Sequence, residues 1–392
     1  MRSPEARPVT MIDPEVGGGH PTFLLAQEEA LQNRGFETQQ LSAREVANDM
    51  VSRLYWNGTQ LVYRIGGMGG PLTWAYEEFR EWQAQHGGGL PRIVKDRLRE
   101  ALPNNEGTII ISTHALTAVK PEGAKLVLLQ GDNFGGKGYA VENADLIAVP
   151  EDSSRDELIA YGIPPEKIAV VGFFVPAGIQ DSLLLPVRMG QLNRGEALHL
   201  GIYFTGALPR PHVSFVYHEL IPKLSERMKK DGSLKITVYT FTNDFVGEEF
   251  LRLGRELRLR TSRNDDDQAD ESWNLRVIYA KTVREAILRS IAAASDPKMP
   301  ISVLVTMLGE RYSWTKFFAV FPLPPINRKN AGQNTRVAIQ RGVVPLPSTT
   351  ENLVLVLQGD LKNLKDRMEK AQTIPTNGAE NTAGIIANFT HR

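Results

Sequence analysis

No cysteine occurs in the 392-residue chain, which excludes disulfides, thiolate metal sites and cysteine nucleophiles. Charge of one sign is not in excess either. Lys+Arg 45 balances Asp+Glu 45, so the chain lacks the basic field of a dedicated nucleic-acid binder. No apolar run reaches about 18 residues, so no segment reads as a bilayer-spanning helix. The start, Met1 to Pro8, is polar and proline-bearing, with no apolar core of a secretory leader. Metal-ligand spacing is lacking, and Asp265-Asp266-Asp267 reads as a solvated insertion rather than an ion site. The expectation from these absences is a cytoplasmic enzyme, without a metal or other cofactor, whose membrane contact is peripheral at the inner face.

What is present is an ordinary globular composition, 42% hydrophobic and 23% charged. The length exceeds what one core usually serves, so two domains of roughly 150–200 residues are expected. The first strand-like segment, Val9-Thr10-Met11-Ile12-Asp13, runs into Gly17-Gly18-Gly19-His20. Residues 22–34 then show helical spacing, with Phe23, Leu24, Ala26, Ala30 and Leu31 on one face. Glycines let the backbone turn tightly and approach a ligand, and the helix start offers free N–H groups. His20 sits at the mouth of this turn, where an imidazole that titrates near neutral pH suits a general base. An incidental exposed histidine on a plain strand-to-helix turn is the alternative.

Further along, Gly35 to Leu41 reads as a turn and second strand. Residues 50–95 change character: Trp56, Trp74 and Trp82 lie among several Tyr and Phe residues and two glycine clusters, with only Trp273 and Trp314 elsewhere. Such aromatic helices suggest a cap over a site or a face meeting lipid headgroups, against the simpler reading of a subsidiary core. Unbroken apolar runs then mark buried parallel strands at 108–114, 125–130, 144–150 and 168–172, with a helix over 153–161. Ligands bind at the carboxyl ends of such strands, where His20, His114 and Asp132 fall. A structural histidine and a loop-capping aspartate are the alternatives for the last two.

Residues 176–196 lack periodicity and hold Pro176 and Pro186, so they read as a linker. A second alternation starts at Leu198 and continues through a helix over 212–230. Strands follow at 235–242, 276–279, 300–306 and 317–321, then a helix at 332–341. The expected fold is α/β, with two Rossmann-like doubly wound domains facing a cleft. Their bounds are 1–175, with the aromatic insertion at 50–95, and 197–375. The tail, 376–392, is expected to be helical and to pack back on the first domain.

The Gly17–His20 turn, the strand end Ser112-Thr113-His114 and above all Ala144 to Gly172, "ADLIAVPEDSSRDELIAYGIPPEKIAVVG", carry a family likeness. They resemble the processive diacylglycerol and monogalactosyldiacylglycerol glycosyltransferases and, more distantly, the peptidoglycan N-acetylglucosaminyltransferase, all of GT-B fold. The resemblance covers about the first 175 residues well and the remainder in outline. It implies a hexosyltransferase that moves a sugar from a nucleotide donor, a UDP-sugar first, to an acceptor hydroxyl, with a lipid acceptor in view. By it, the glycine loop with Gly18 and Gly19 would face the acceptor and His20 would be the base; from their own positions, His114 is a candidate to line the acceptor site and Asp132 to orient His20 or bind acceptor hydroxyls. Thr205 and Gly206 resemble the short loop after the first strand of the donor domain. Ala331-Gly332-Gln333-Asn334-Thr335 resembles its donor-binding glycine loop, so Gly332, Gln333, Asn334 and Arg336 would hold the nucleotide sugar.

One departure stands out. The family carries a Glu on the helix that follows, for the donor ribose, and counting back from Gly342 its place is taken by Val337. Valine cannot accept a hydrogen bond from a ribose hydroxyl. Another residue does this, or the donor differs, or the site has decayed. A non-catalytic sugar-nucleotide-binding relative and a nucleotide-sugar 2-epimerase therefore stay open beside the transferase.

Overall fold

The computed structural model describes the chain outside residues 1–7, 15–18, 67–70, 76–77, 79–89, 104–106, 135, 182, 195–197, 205–207, 231–233, 264–271, 310, 326–329, 346–360 and 391–392. The run Asp265-Asp266-Asp267 lies outside the described residues. Two compact units emerge: one takes the chain as far as Ala177 and regains Pro375–Arg392, and the other holds Gly178–Ile374.

The first unit is built on β1 (Val9–Asp13), α1 (Gly19–Gln32), β2 (Thr38–Ser42), α2 (Ala43–Val46), α3 (Met50–Gly66) and α4 (Leu90–Ala101). It continues through β3 (Ile109–Ser112), β4 (Lys125–Leu129), β5 (Leu146–Val149), α5 (Asp152–Ala160) and β6 (Ile168–Val170). Its six strands are all parallel, in the order β2-β1-β3-β4-β5-β6. Alternation along each strand divides the apolar side chains between two layers. Ile12, Ile110, Leu126, Leu128 and Ile147 pack with Trp56, Val94, Leu98 and Leu158 of α3, α4 and α5. Met11, Ile109, Ile111, Val127 and Leu129 pack on the other face with Phe23, Leu24, Ala26, Ala30 and Leu31 of α1.

The chain's last helix, Gly378–Thr390, lies in that second layer, where Ala379, Ala383 and Ile386 are buried. It is tied down by backbone bonds: Phe173 N–H donates to Pro375 O (2.9 Å) and Gly378 N–H to Phe173 O (3.0 Å). Gly172 adopts φ +97°, and a Cβ on Gly378 would overlap the Gly172 carbonyl, so both positions require glycine.

The second unit repeats the plan. It runs α6 (Leu184–Arg194), β7 (Leu198–Tyr203), α7 (Arg210–Phe215), α8 (Ile221–Lys230), β8 (Leu234–Tyr239), α9 (Asp244–Glu256), β9 (Thr261–Arg263) and β10 (Leu275–Ile278). Then come α10 (Val283–Ala294), β11 (Val303–Thr306), β12 (Ala319–Pro322), α11 (Asn330–Gln340) and α12 (Leu361–Lys370). The parallel order is β12-β11-β7-β8-β10-β9. A single π turn at Val216–Leu220 joins α7 to α8. The helices α9 and α10 start at side-chain caps: Asn243 Oδ1 accepts from Val246 N–H (3.0 Å) and Thr282 Oγ1 from Glu285 N–H (3.2 Å).

The stretch 176–196, expected as a linker, contains the helix α6, and the division between units falls at Ala177/Gly178. The physical reason is Arg188. Its fully buried guanidinium donates to Ala294 O (2.7 Å), Ile301 O (3.0 Å) and Phe317 O (3.3 Å) and lies over the Phe318 ring at 4.2 Å. One side chain on α6 thus satisfies carbonyls at the end of α10 and ahead of β11 and β12. Arg188→Met removes the donor from three buried acceptors, and about 3 kcal/mol of destabilisation is expected. Urea unfolding measures it, and an unchanged midpoint refutes this role.

His199 on β7 is buried too. Its Nδ1 donates to Met299 O (2.9 Å) and its Nε2 accepts from the Thr237 hydroxyl (2.7 Å). Burial pushes the imidazole down from 6.5 to about 3, against the backbone bond. The unfolded chain therefore takes up a proton that the folded state refuses between pH 6.5 and about 3. Stability is fully present above that window and is lost as the pH falls through it, by about tenfold in the unfolding constant per pH unit. Chemical denaturation across pH 4.5 to about 7 should show this slope, and His199→Gln should flatten it.

Candidate active site

In the first sheet β1 leads to β2 on one side, while β3 and the strands after it lie on the other. The order reverses between β1 and β3, and a crevice opens outside the carboxyl ends at such a point. His20 stands there in the first turn of α1, and His114 stands two residues past the end of β3. The two rings meet edge to face, with centroids 5.0 Å apart and planes at 81°. The sequence placed each histidine at a strand end, and the pairing of β1 with β3 brings them together.

The segment Ser112-Thr113-His114-Ala115-Leu116-Thr117 is shaped around His114. Ser112 Oγ accepts from His114 N–H (3.2 Å) and shares a 2.8 Å hydrogen bond with Thr117 Oγ1. Leu116 N–H donates to His114 Nδ1 (3.1 Å). With Nδ1 occupied as an acceptor, the neutral ring carries its proton on Nε2 and presents a donor there. Tyr139 supports the same turn by donating its hydroxyl to Thr113 O (3.0 Å).

His20 is placed through Phe23, one turn along α1, whose buried ring lies 6.4 Å from the imidazole and 6.3 Å from Phe174. Phe23 fits because residue 131, just past β4, is glycine: a Cβ there would overlap the phenyl ring. Asp132 follows, half-buried, in a loop held by Gln130 Nε2 donating to Asp132 O (3.0 Å). Asp13, a carboxylate not singled out from the sequence, ends β1 and accepts from Gln40 Nε2 (3.3 Å). Gly19 opens α1; Gly18 lies outside the described residues.

In the second sheet the order reverses between β7 and β11. Thr205 and Gly206, expected just beyond β7, lie outside the described residues. Thr306 ends β11 and donates its hydroxyl to Tyr203 O at the end of β7 (2.8 Å). Arg311 donates Nη1–H to Thr306 Oγ1 (3.3 Å) and is only 7% exposed. Its guanidinium lies 5.5, 5.8 and 5.6 Å from the rings of Tyr203, Phe241 and Trp314. Phe241, past β8, and Leu208, past β7, both have positive φ (57° and 45°), a conformation unfavourable for such side chains. Burial pushes the Tyr203 phenol up, so it stays neutral.

Gly332, Gln333, Asn334 and Arg336 lie on α11, which follows β12, the edge strand, rather than the strands at the reversal. Asn334 reaches the loop after β11: it is fully buried and its Nδ2 donates to Gly309 O (3.5 Å). Arg336 is exposed, whereas Arg341 donates to the Tyr312 hydroxyl (2.7 Å). Reasoning from sequence missed Thr306 and Arg311. The available signal was a polar end to an apolar strand followed within a few residues by glycine and arginine. Among the described residues no three His, Asp or Glu side chains group as metal ligands.

No protein-family model and no curated protein matches the chain significantly. Solved structures do match in fold. The UDP-GlcNAc 2-epimerase from Neisseria meningitidis, bound to UDP-GlcNAc, superposes with a TM-score of 0.52 at 12% identity, over 98% of this chain and 99% of that one. A putative UDP-N-acetylglucosamine 2-epimerase from Listeria monocytogenes gives 0.52 and 12%, over 98% and 95%. The fold is therefore the GT-B-like α/β architecture of those two structures, with two units each built on a six-stranded parallel sheet.

The dependence of His20 on Phe23 is open to test. Gly131→Ala forces the phenyl ring off its seat and should cost about 2 kcal/mol of stability through overpacking. It should also shift the His20 ring resonances in an NMR spectrum. Unshifted resonances would separate His20 from the packing beneath it.

Proposed function

We propose that this protein is a glycosyltransferase that moves a sugar from a nucleoside diphosphate, UDP first, to an acceptor hydroxyl. The observation that carries this reading is the contact of His20 with His114 at the order reversal of the first sheet. His20 accepts the hydroxyl proton as the acceptor oxygen bonds to the anomeric carbon. The bond from that carbon to the diphosphate oxygen breaks, and the nucleoside diphosphate leaves. A positioned base contributes about 10²- to 10⁴-fold to such a step. His114, with its proton on Nε2, donates to an acceptor oxygen, and Asp132 accepts from a neighbouring hydroxyl. Gly18 and Gly19 let the acceptor approach the backbone.

On the donor side, Arg311 supplies the fixed positive charge for the diphosphate, from a dry setting where charge acts strongly. Gly332, Gln333, Asn334 and Arg336 on α11, with Thr205 and Gly206, complete the donor contacts in this reading. That assignment removes the need for a carboxylate at Val337, since the diphosphate rather than the ribose anchors the donor. UDP comes first because a protein of like fold binds UDP-GlcNAc. A lipid hydroxyl is the acceptor that the family resemblance favours.

The fold shared with two 2-epimerases favours a second reading, epimerisation at C2 of the sugar. It differs in its products: an isomeric nucleotide sugar forms without acceptor, and the C2 hydrogen exchanges with solvent. A protein that binds the nucleotide sugar without turnover is the third reading.

Thermal shift with UDP, GDP, TDP and ADP and their common sugars, followed by transfer assays with the nucleotide that stabilises, tests the proposal. His20→Ala should keep the stabilisation and lose transfer by about 10²-fold or more. Arg311→Gln should lose the nucleotide-induced stabilisation. Full transfer by His20→Ala overturns the base assignment, and C2 exchange without transfer establishes the second reading.

A further inference from the structure

The chain leaves the first unit after Ala177 and regains it at Pro375. Both crossings are hydrogen-bonded to side chains of α1, the helix whose first turn bears His20. At the departure, Ala177 N–H donates to Glu29 Oε2 (2.8 Å). Just after the return, Gln27 Nε2 donates to Ala379 O (3.3 Å). A third contact links the same places: Phe174, in the departing segment, forms an antiparallel bridge with Asn377 in the returning one, and its ring meets that of Phe23. Gln27 and Glu29 are two positions apart, so their side chains leave the helix about 200° apart and hold it from opposite sides. Gln27 is fully buried and Glu29 is half-buried.

Apolar packing alone does not fix the place of α1 along its own axis. Phe23, Leu24, Ala26, Ala30 and Leu31 press the helix on the sheet, but apolar attraction is non-directional. Hydrogen bonds are directional, and one to a carboxylate is stronger than a neutral one. Gln27 stands two turns from His20 on the same side of the helix, so a shift at Gln27 is carried along α1 to the imidazole. We infer that Gln27 and Glu29 are positioning residues, which set where the His20 ring stands by tying α1 to both crossings of the chain. The inference rests on His20 being the base of the sugar transfer proposed above, and neither side chain needs to touch substrate to serve it.

The test uses the full chain labelled at histidine, with the His20 ring resonances assigned by their loss in His20→Ala. Gln27→Met and Glu29→Met each remove one tie, while Glu29→Gln keeps an acceptor for Ala177 N–H. Arg34→Met is the control, because Arg34 donates to Glu380 O (3.4 Å) from beyond the far end of α1. The two Met variants of Gln27 and Glu29 should displace the His20 resonances. They should also lower kcat for transfer about tenfold at unchanged KM for the nucleotide sugar. Glu29→Gln and Arg34→Met should keep wild-type resonances and kcat. His20 resonances that stay in place in Gln27→Met and Glu29→Met overturn the inference, whatever happens to the melting temperature. Equal displacement by Arg34→Met overturns it too, since loosening of the last helix then suffices. Displaced resonances in a protein whose wild type transfers no sugar support the ties and overturn the transfer reading instead. Should Gln27→Met fail to fold, the Glu29 pair decides: displacement by Glu29→Met that Glu29→Gln reverses supports the tie, and its absence overturns it.

Discussion

Parallel strands constrain everything else in each unit. Every connection must cross over a face of the sheet, so both faces become covered and the central strands become mainly apolar. Ligand-facing polar groups then lie where strands end, and they gather where the strand order reverses. In the first unit that point lies between β1 and β3 and holds His20 and His114. In the second it lies between β7 and β11 and holds Tyr203, Thr306 and Arg311. The candidate residues follow from topology before any side chain is considered.

Position, more than charge, distinguishes the two buried arginines of the second unit. Arg188 binds the carbonyl of Ile301, ahead of β11, and Arg311 binds the hydroxyl of Thr306, at the end of the same strand. The amino edge of a parallel sheet is closed by helix ends and loops, and Arg188 saturates carbonyls there. Desolvation lowers its guanidinium to about 10, which still leaves it charged at neutral pH, held by three acceptors. The carboxyl edge is where the crossovers diverge, and Arg311 stands in it among aromatic faces, one of them Phe241 with its positive φ. A structural arginine and a candidate anion-binding arginine thus bracket one strand.

How much of this was legible in the sequence depends on how local the cause is. The first strand was read with the bounds it has, and the five apolar residues assigned to one face of α1 all lie in one core layer. Those features rest on nearest-neighbour spacing. The helix α6 was not visible, because one of its buried positions is an arginine whose partners lie more than a hundred residues onward. The helices α9 and α10 carry caps at Asn243 and Thr282, residue types that favour a helix start and are legible in sequence. At the site, His20 and His114 were each legible from a glycine turn or a strand end. Their mutual contact, and the role of Arg311, were not, since both arise from pairing between strands distant in sequence.

The helices α1 and α3 make the same point about spacing. Both place apolar residues on one face at helical intervals, yet α1 buries that face and α3 exposes it. The difference lies in Trp56. A single large aromatic fills the layer between α3 and α4 and is 2% exposed, so the leucines on the far side of the turn are not needed for the core. Periodicity therefore identifies a face but not its partner, which is set by whatever already occupies the layer beneath. A helix anchored by one tryptophan can turn leucine and methionine outward without weakening the fold, at the cost of exposing apolar area to water unless something covers it.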